Sequence, residues 1–539
     1  MTTNTNVAGS ADYVIVGAGS AGAVMANRLS EDPKTSVILI EAGGEAKAFV
    51  VQLPAGLVHL LRKPAFDWCY EQEPDPSVNG RGGIWSAGRL LGGSSSINGQ
   101  VYIRGTRHDF DEWAEMGATG WSFNEVFPYF LRSECWQGEP SQAHGASGPL
   151  SISPTLDPHP LCRAFLKGCG EVGLPTLAEY NDGAAFGAFL TQTNQRDGWR
   201  CSTEKGYLRP IRKRPNLRII TQAEVERVWV VDGRAVGVTL LREGRRETVD
   251  ALGEVIVCAG AMGSPALLMR SGIGPAPYLR SRDIEVVCES AGVGENLQEH
   301  SAAGVSRYVN VPTLNSQMGP WDMVSHLARF FWNRTGPLSA PAVQAMGLAK
   351  TRADLPEPDI QLHFMPLAFD GDPDMVSPGS TAMPKDPAVT INASLCKPRG
   401  RGRVELGERG QARVVHRLLD NPHDRATLVA GMDLVNRIFE APTLKRLTVA
   451  NRAPQVIPTT DDGWIEYLRA NTTITWHAVG TCRMGSDAEA VVDPKLRFRG
   501  VGGLRIVDAS VMPTTTSSNT NAPTIMIAEK AAEMIRLGE

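Results

Sequence analysis

Four short runs of the chain are apolar and β-branched without alternation: Asp12–Gly19 (DYVIVGAG), Ser36–Gly44 (SVILIEAGG), Glu254–Gly260 (EVIVCAG) and Leu504–Ser510 (LRIVDAS). A strand covered on both faces has no polar side to present, so such runs predict buried strands of a parallel sheet. Between the first two, SAGAVMANRLS sets its apolar residues at helical spacing, which predicts a βαβ unit. The third run leads through a glycine turn into a second helical pattern, AMGSPALLMRSG. APTIMIAEKAAEMIRLG predicts a closing helix, with Asn521 as its N-cap, Pro523 in its first turn and Gly538 at its end. The run EVERVWVV-DG-RAVGVTLL predicts a β-hairpin turning at Asp232–Gly233.

The pattern changes between about residues 306 and 464, where alternating strands, long loops and prolines mix. Met365–Pro387 (MPLAFDGDPDMVSPGSTAMPKDP) is too rich in Pro and Gly for regular structure. This stretch is read as a second domain inserted into the first. The chain contains no internal repeat and no low-complexity tract.

Composition removes several function classes. The 539 residues are 42% hydrophobic and 21% charged with a formal net charge of −4, an ordinary globular balance with no basic tract for nucleic acid. Nine cysteines without a CxxC argue against a disulfide framework or a structural zinc, and suggest reduced thiols in a cytoplasmic protein. The opening MTTNTNVAGS lacks the features of a secretory signal, and no apolar run approaches the length of a membrane span. Peripheral contact with a membrane stays open.

Gly17, Gly19 and Gly22 form G-x-G-x-x-G between a predicted strand and a predicted helix. The first glycine permits the tight turn, the second lets backbone approach a pyrophosphate at the helix N-terminus, and the third lets helix and strand pack closely. Glu41 follows Gly22 by 19 residues, at the end of the next strand, where a carboxylate can take the ribose hydroxyls of an adenosine. These features together predict dinucleotide binding, without separating FAD from NAD.

A second glycine-rich stretch, GRLLGGSSSINGQVYIRG from Gly88, resembles a signature of the glucose–methanol–choline (GMC) oxidoreductases, FAD-dependent enzymes that oxidise alcohols. GAMGSPALLMRSGIGP, GVGENLQEH and the closing WHAVGTCRMG…SSNTNAPTIMIAEKAAEMI resemble further family stretches, in order, across essentially the whole chain. The resemblance implies an α/β fold: a Rossmann-like FAD-binding domain (residues 10–150, 195–305 and 465–539) with an inserted substrate domain on an antiparallel sheet (151–194 and 306–464). It places Gly92, Gly93 and Ser94 over the FAD pyrophosphate, and Asn98 and Gly99 near flavin N5. Val225 would meet the adenine through its backbone, and Asp508 would approach the phosphates or ribityl chain. The helix that begins near Asn521 and includes Thr524 would aim its N-terminus at the flavin pyrimidine. Relatives that bind FAD covalently carry a histidine directly before the asparagine of the loop. Here that position is Ile97, which predicts non-covalent FAD.

His477, in ITWHAVGTCRMG, could by its local sequence be a core histidine, a metal ligand or a base. The resemblance identifies it as the catalytic base, with Asn521 as its partner. A neutral imidazole suits the removal of a hydroxyl proton, and an amide can hold the alcohol oxygen. His300 is read as structural or cofactor-adjacent, Cys482 as packing, and Trp476 as packing beside the flavin. His416 and His423 lack ligand-like spacing, so no metal is assigned. Choline-oxidising relatives place a glutamate where this chain has Ala302, which points instead to a neutral primary alcohol, aromatic, furanic or aliphatic. Phe364, Met365, Leu367 and Phe369 are the candidate pocket lining. The electron acceptor would be O2 or a quinone, with a dehydrogenase favoured over an oxidase. A hydroxynitrile-lyase-like enzyme with structural FAD is the alternative.

Overall fold

The computed structural model describes residues 6–183, 186–369 and 384–539. The centre of the Pro/Gly-rich run after Phe369 therefore lies outside the described residues. Two large sheets organise the chain. In the first, the strands lie in the order Leu217–Ile220, Val37–Ile40, Asn6–Val16, Arg245–Val257, Arg234–Arg242 and Ala223–Val231, with Leu504–Ile506 added alongside Arg245–Val257. Its centre is parallel, and all four unalternating runs lie there, buried on both faces as their composition requires. Its edge is an antiparallel ribbon. The predicted hairpin turns at Asp232 (φ 48°) and Gly233 (φ 74°), both left-handed, the geometry that suits the twist of a two-residue hairpin.

The helix Ser20–Leu29 crosses between the first two parallel strands. The closing helix Asn521–Arg536 packs along it. Glu529, fully buried, locks the pair by accepting two 2.8 Å hydrogen bonds from the Arg28 guanidinium and a third from the Tyr207 hydroxyl. The N-cap is Thr520 rather than Asn521, which stands one residue inside the helix.

The second sheet is antiparallel and runs Thr448–Ala453, Ser301–Val309, Ala388–Leu395, Ile360–Met365, Ala345–Ala349, Gly187–Leu190, with Thr473–Ile474 paired to the start of Ser301–Val309. It extends past the expected domain boundaries at 305 and 465, because the strand that carries Ala302 leaves the glycine-rich part without a break. Alternation gives the sheet two different faces. Ile360, Leu362 and Phe364 point to the covering helices: Ile360 lies against Gly431 of the helix Pro422–Glu440, and Phe364 stacks on Phe165 with ring centroids 4.9 Å apart. Gln361, His363 and Met365 take the opposite face, and Gln361 reaches Asn519 there.

Candidate functional site

The two glycine-rich stretches meet. A Cβ on Gly93 would lie 2.6 Å from the Cα of Gly19, so backbone contacts backbone between the loops. A Cβ on Gly22 would lie 1.8 Å from the Gly17 carbonyl oxygen, which makes that glycine obligatory for helix and strand to pack. Gly92 (φ 85°) starts the short turn Gly93–Ser96, leaving the Ser94 side chain exposed. Beside Gly44, Gly99 and Gly260 an added Cβ would meet nothing within 4 Å among the described residues, so these backbones border open space. The N-termini of the helices Ser20–Leu29 and Asn521–Arg536 face the same region, with Asn521 donating to Ser20 Oγ at 2.8 Å. Two positive dipole ends and small-residue walls suit a flat, anionic dinucleotide.

Glu41 accepts from the Ala18 and Gly43 amides at 2.9 and 2.8 Å, tying together the turns that end two adjacent strands. Burial pushes its carboxyl up to about 7. Asn98 is gripped by Arg200, whose Nη1 donates to the Asn98 backbone oxygen (2.7 Å) and to its Oδ1 (2.9 Å). Ile97 is buried beside it. Val225 is buried at an irregularity in its strand and receives a hydrogen bond from Arg270 on its backbone oxygen. Asp508 does not project freely toward a ligand. Its carboxylate accepts from Gly260 N, Ser264 Oγ and Ser510 N, at 2.9, 2.6 and 2.8 Å, and so braces the helix Gly260–Arg270. Thr524 turns its hydroxyl back to the Thr520 carbonyl.

His477 lies behind Trp476, which has φ 60°. An aromatic residue in the left-handed region is strained, and strain of this kind persists only where neighbours enforce it. Here Glu299 enforces it. Its buried carboxylate accepts from the backbone N–H groups of Thr475 and His477 on either side of Trp476, and from the Thr475 hydroxyl. The forced turn directs His477 inward and leaves Trp476 42% exposed. Burial raises the Glu299 carboxyl to about 7.

The hydrogen bonds around His477 fix its tautomer. His300 Nε2 lies 2.9 Å from the Thr516 carbonyl, which can only accept, so Nε2 of His300 carries the proton and its Nδ1 is a bare acceptor. That Nδ1 lies 3.0 Å from His477 Nδ1, which must therefore donate. The Thr475 hydroxyl, 2.8 Å away and itself a donor toward Glu299, is a second acceptor for the same proton. The lone pair of His477 is left on Nε2, 2.9 Å from the Asn519 amide nitrogen. Burial, and then the neighbouring His300 and His363, hold the imidazole well below its usual pKa, so it stays neutral through the physiological range. The arrangement is a buried, neutral imidazole whose bare Nε2 meets an amide donor, a group able to accept a proton there.

The partner of His477 is thus Asn519. Asn521, two residues later, has entered the helix and turned to Ser20. The sequence contained the signal, two asparagines in SSNTNAP, but only the chain path before the helix separates their roles. Sequence reasoning also missed Glu299, Gln361 and His363. Of the expected lining residues, Phe364 belongs to the core on the far side of its strand. Cys482 is fully buried with its thiol pushed well up by that burial, in keeping with packing. His300, read as structural or cofactor-adjacent, hydrogen-bonds His477 through its Nδ1.

Known proteins resemble the chain along nearly its whole length. Residues 11–302 match the family model for the N-terminal part of the GMC oxidoreductases, and residues 398–528 match the C-terminal part. An oxygen-dependent choline dehydrogenase of Burkholderia pseudomallei is 38% identical over 97% of this chain and 93% of its own length. An alcohol dehydrogenase [acceptor] of Pseudomonas putida is 35% identical over 97% and 95%. The crystal structure of pyridoxine 4-oxidase from Mesorbium loti superposes with a TM-score of 0.87 at 29% identity, covering 98% of this chain and 99% of that one.

Proposed function

Since the chain belongs to the GMC oxidoreductase family, we propose that it oxidises a neutral primary alcohol to the aldehyde, with FAD held non-covalently between its glycine-rich loops. The observation that carries this reading is the His477–Asn519 pair: a neutral imidazole whose bare Nε2 accepts from the Asn519 amide at 2.9 Å, a contact that an incoming alcohol would take over by donating to Nε2 and accepting from the amide. In this reading His477 Nε2 takes the hydroxyl proton while Asn519 holds the oxygen and stabilises its developing charge. FAD, when bound, supplies the acceptor for the hydride that leaves the carbinol carbon. Gly17, Gly19 and Gly22 with Gly92, Gly93 and Ser94 would hold its pyrophosphate, and Glu41 its ribose. Asn98 and Gly99 would lie along the flavin edge, and the Asn521 helix end would favour the charge of the reduced ring. Ile97 offers no atom for a covalent link. Ala302 shares a row of the sheet with Ser394 and Thr473, a wall without the carboxylate that a trimethylammonium group would need, which favours neutral alcohols over choline. A quinone-type acceptor, hence a dehydrogenase, is the favoured partner reaction, and the P. putida relative named for an acceptor supports it.

The test is anaerobic stopped-flow loss of flavin absorbance with benzyl alcohol, hexanol and choline, followed by mixing with air. Bleaching by a neutral alcohol and slow reoxidation are expected. Failure of every alcohol to bleach the flavin overturns the reading, and a cyanohydrin-cleavage assay would then test the lyase alternative. Acid precipitation should release all the FAD into the supernatant.

A further inference from the structure

The face of the antiparallel sheet turned toward His477 is polar where a pocket for a simple hydrocarbon alcohol would be greasy. Gln361 and Ser394 stand opposite one another on neighbouring strands, with Ala302 next in the same row. His363 stands two residues further along, about 7 Å from Gln361 at strand spacing. Gln361, Ser394 and His363 are each more than nine-tenths buried. Among the described residues each keeps a polar atom without a partner: Gln361 Oε1, Ser394 Oγ and His363 Nε2. Buried polar groups are rarely left unpaired, because an atom taken from water without a new partner loses its hydrogen bonds for nothing. Three of them within two rows of one sheet face, beside the base, point to a ligand that pairs them.

The chemistry of that ligand group follows from the atoms left over. The Gln361 amide nitrogen already donates to Asn519 Oδ1 at 3.4 Å, so its free atom is the carbonyl oxygen, which can only accept. Ser394 Oγ and a neutral His363 can each accept or donate. A group that donates at least one hydrogen bond and can also accept, such as a hydroxyl, satisfies all three.

We propose that Gln361, Ser394 and His363 form a second polar subsite, so that the substrate is a primary alcohol with a second hydroxyl at its far end. This rests on the alcohol-oxidising reading above. The same Gln361 that receives the distal hydroxyl also orients Asn519, so occupying the subsite helps to place the reacting carbinol against His477.

The test compares two probes of the same shape, 1,4-benzenedimethanol and 4-ethylbenzyl alcohol, which differ by a hydroxyl in place of a methyl. With the holoenzyme under anaerobic conditions, kcat/KM for flavin reduction should favour the diol by about 10- to 100-fold, the range expected when a built hydrogen-bonding site meets an analogue lacking the hydroxyl. The ratio between the two probes should collapse toward the statistical factor of about two, set by the two equivalent carbinols of the diol, in Ser394→Ala and in Gln361→Met, with the loss mainly in KM for Ser394→Ala and in both kcat and KM for Gln361→Met. If Gln361→Met loses its flavin, Ser394→Ala carries the comparison alone. Equal reduction of the wild-type flavin by both probes overturns the subsite, since the three atoms then hold only water. A preference for the diol that survives in Ser394→Ala also overturns it. Reduction by neither probe overturns the underlying alcohol-oxidising reading, and the subsite with it.

Discussion

Replacing His300 with leucine removes the acceptor that decides which nitrogen of His477 carries the proton. In the native site the His477 Nδ1 proton is shared between His300 Nδ1 at 3.0 Å and Thr475 Oγ1 at 2.8 Å. Leucine takes away the first acceptor and leaves the Thr516 carbonyl without its donor from His300. A lost hydrogen bond with a buried group left unsatisfied costs about 1–3 kcal/mol. Assigned to the tautomer with a bare Nε2, that penalty lowers the rate of proton removal by about 5- to 150-fold, since each ~1.4 kcal/mol is a factor of ten. The upper bound is the ~10⁴-fold loss seen when a catalytic histidine is held in the wrong tautomer. The assay is anaerobic flavin reduction by the best alcohol, with flavin content as the check on folding. kcat should fall more than KM rises. His300→Asn, which keeps one acceptor and one donor, should recover part of the loss. An unchanged reduction rate in a flavin-loaded His300→Leu protein would refute the reasoning.

The two asparagines should separate cleanly: Asn519→Ala is expected to slow flavin reduction by about 10- to 100-fold with FAD retained, whereas Asn521→Ala should weaken FAD retention, read from the ratio of visible to ultraviolet absorbance. Gly93→Ala should yield protein largely without flavin, because the new Cβ would fall 2.6 Å from the Gly19 Cα and force the loops apart. A fourth expectation concerns pH. His144 bridges Glu134 and Glu179 at 2.7 Å to each, stacked on Trp136 with centroids 3.9 Å apart, and these partners outweigh its burial to raise its pKa to about 8. A histidine whose folded pKa is raised stabilises the fold fully below its unfolded pKa of about 6.5 and loses that contribution as pH rises through about 8. Thermal unfolding should therefore show Tm falling between pH 6.5 and 8.5, and His144→Gln should flatten that limb; an identical slope in the variant would exclude His144 as its cause.

Much of the site was legible because it is local. Gly17, Gly19 and Gly22 sit between a strand and a helix that hydrophobic pattern alone predicts, and their roles follow from steric limits within a few residues. His477 was found through its resemblance to a family stretch, and the structure gives it a suitable environment. The structure sets Asn519 rather than Asn521 against His477, for a physical reason. Asn519 and Asn521 have nearly the same sequence neighbourhood, and the start of the helix at Asn521 rotates one side chain to Ser20 and leaves the other facing His477. Phe364 and His363 show the same limit in a strand. A period of two sends adjacent residues to opposite faces, and which face meets the site depends on the strand's partners rather than on its own sequence.

By itself, then, the sequence determined the buried parallel strands, the glycine turns, the closing helix and the kind of cofactor they suit. These depend on backbone sterics and on whether a segment can show a polar face to water, both of which are written in consecutive residues. Only the tertiary structure decided how the base is set. Thr516 fixes His300, His300 fixes His477, and Glu299 holds the adjacent Trp476 in a strained turn. Those contacts join residues as many as 216 positions apart, and a hydrogen bond depends on distance and direction in space, which residue spacing along the chain does not encode.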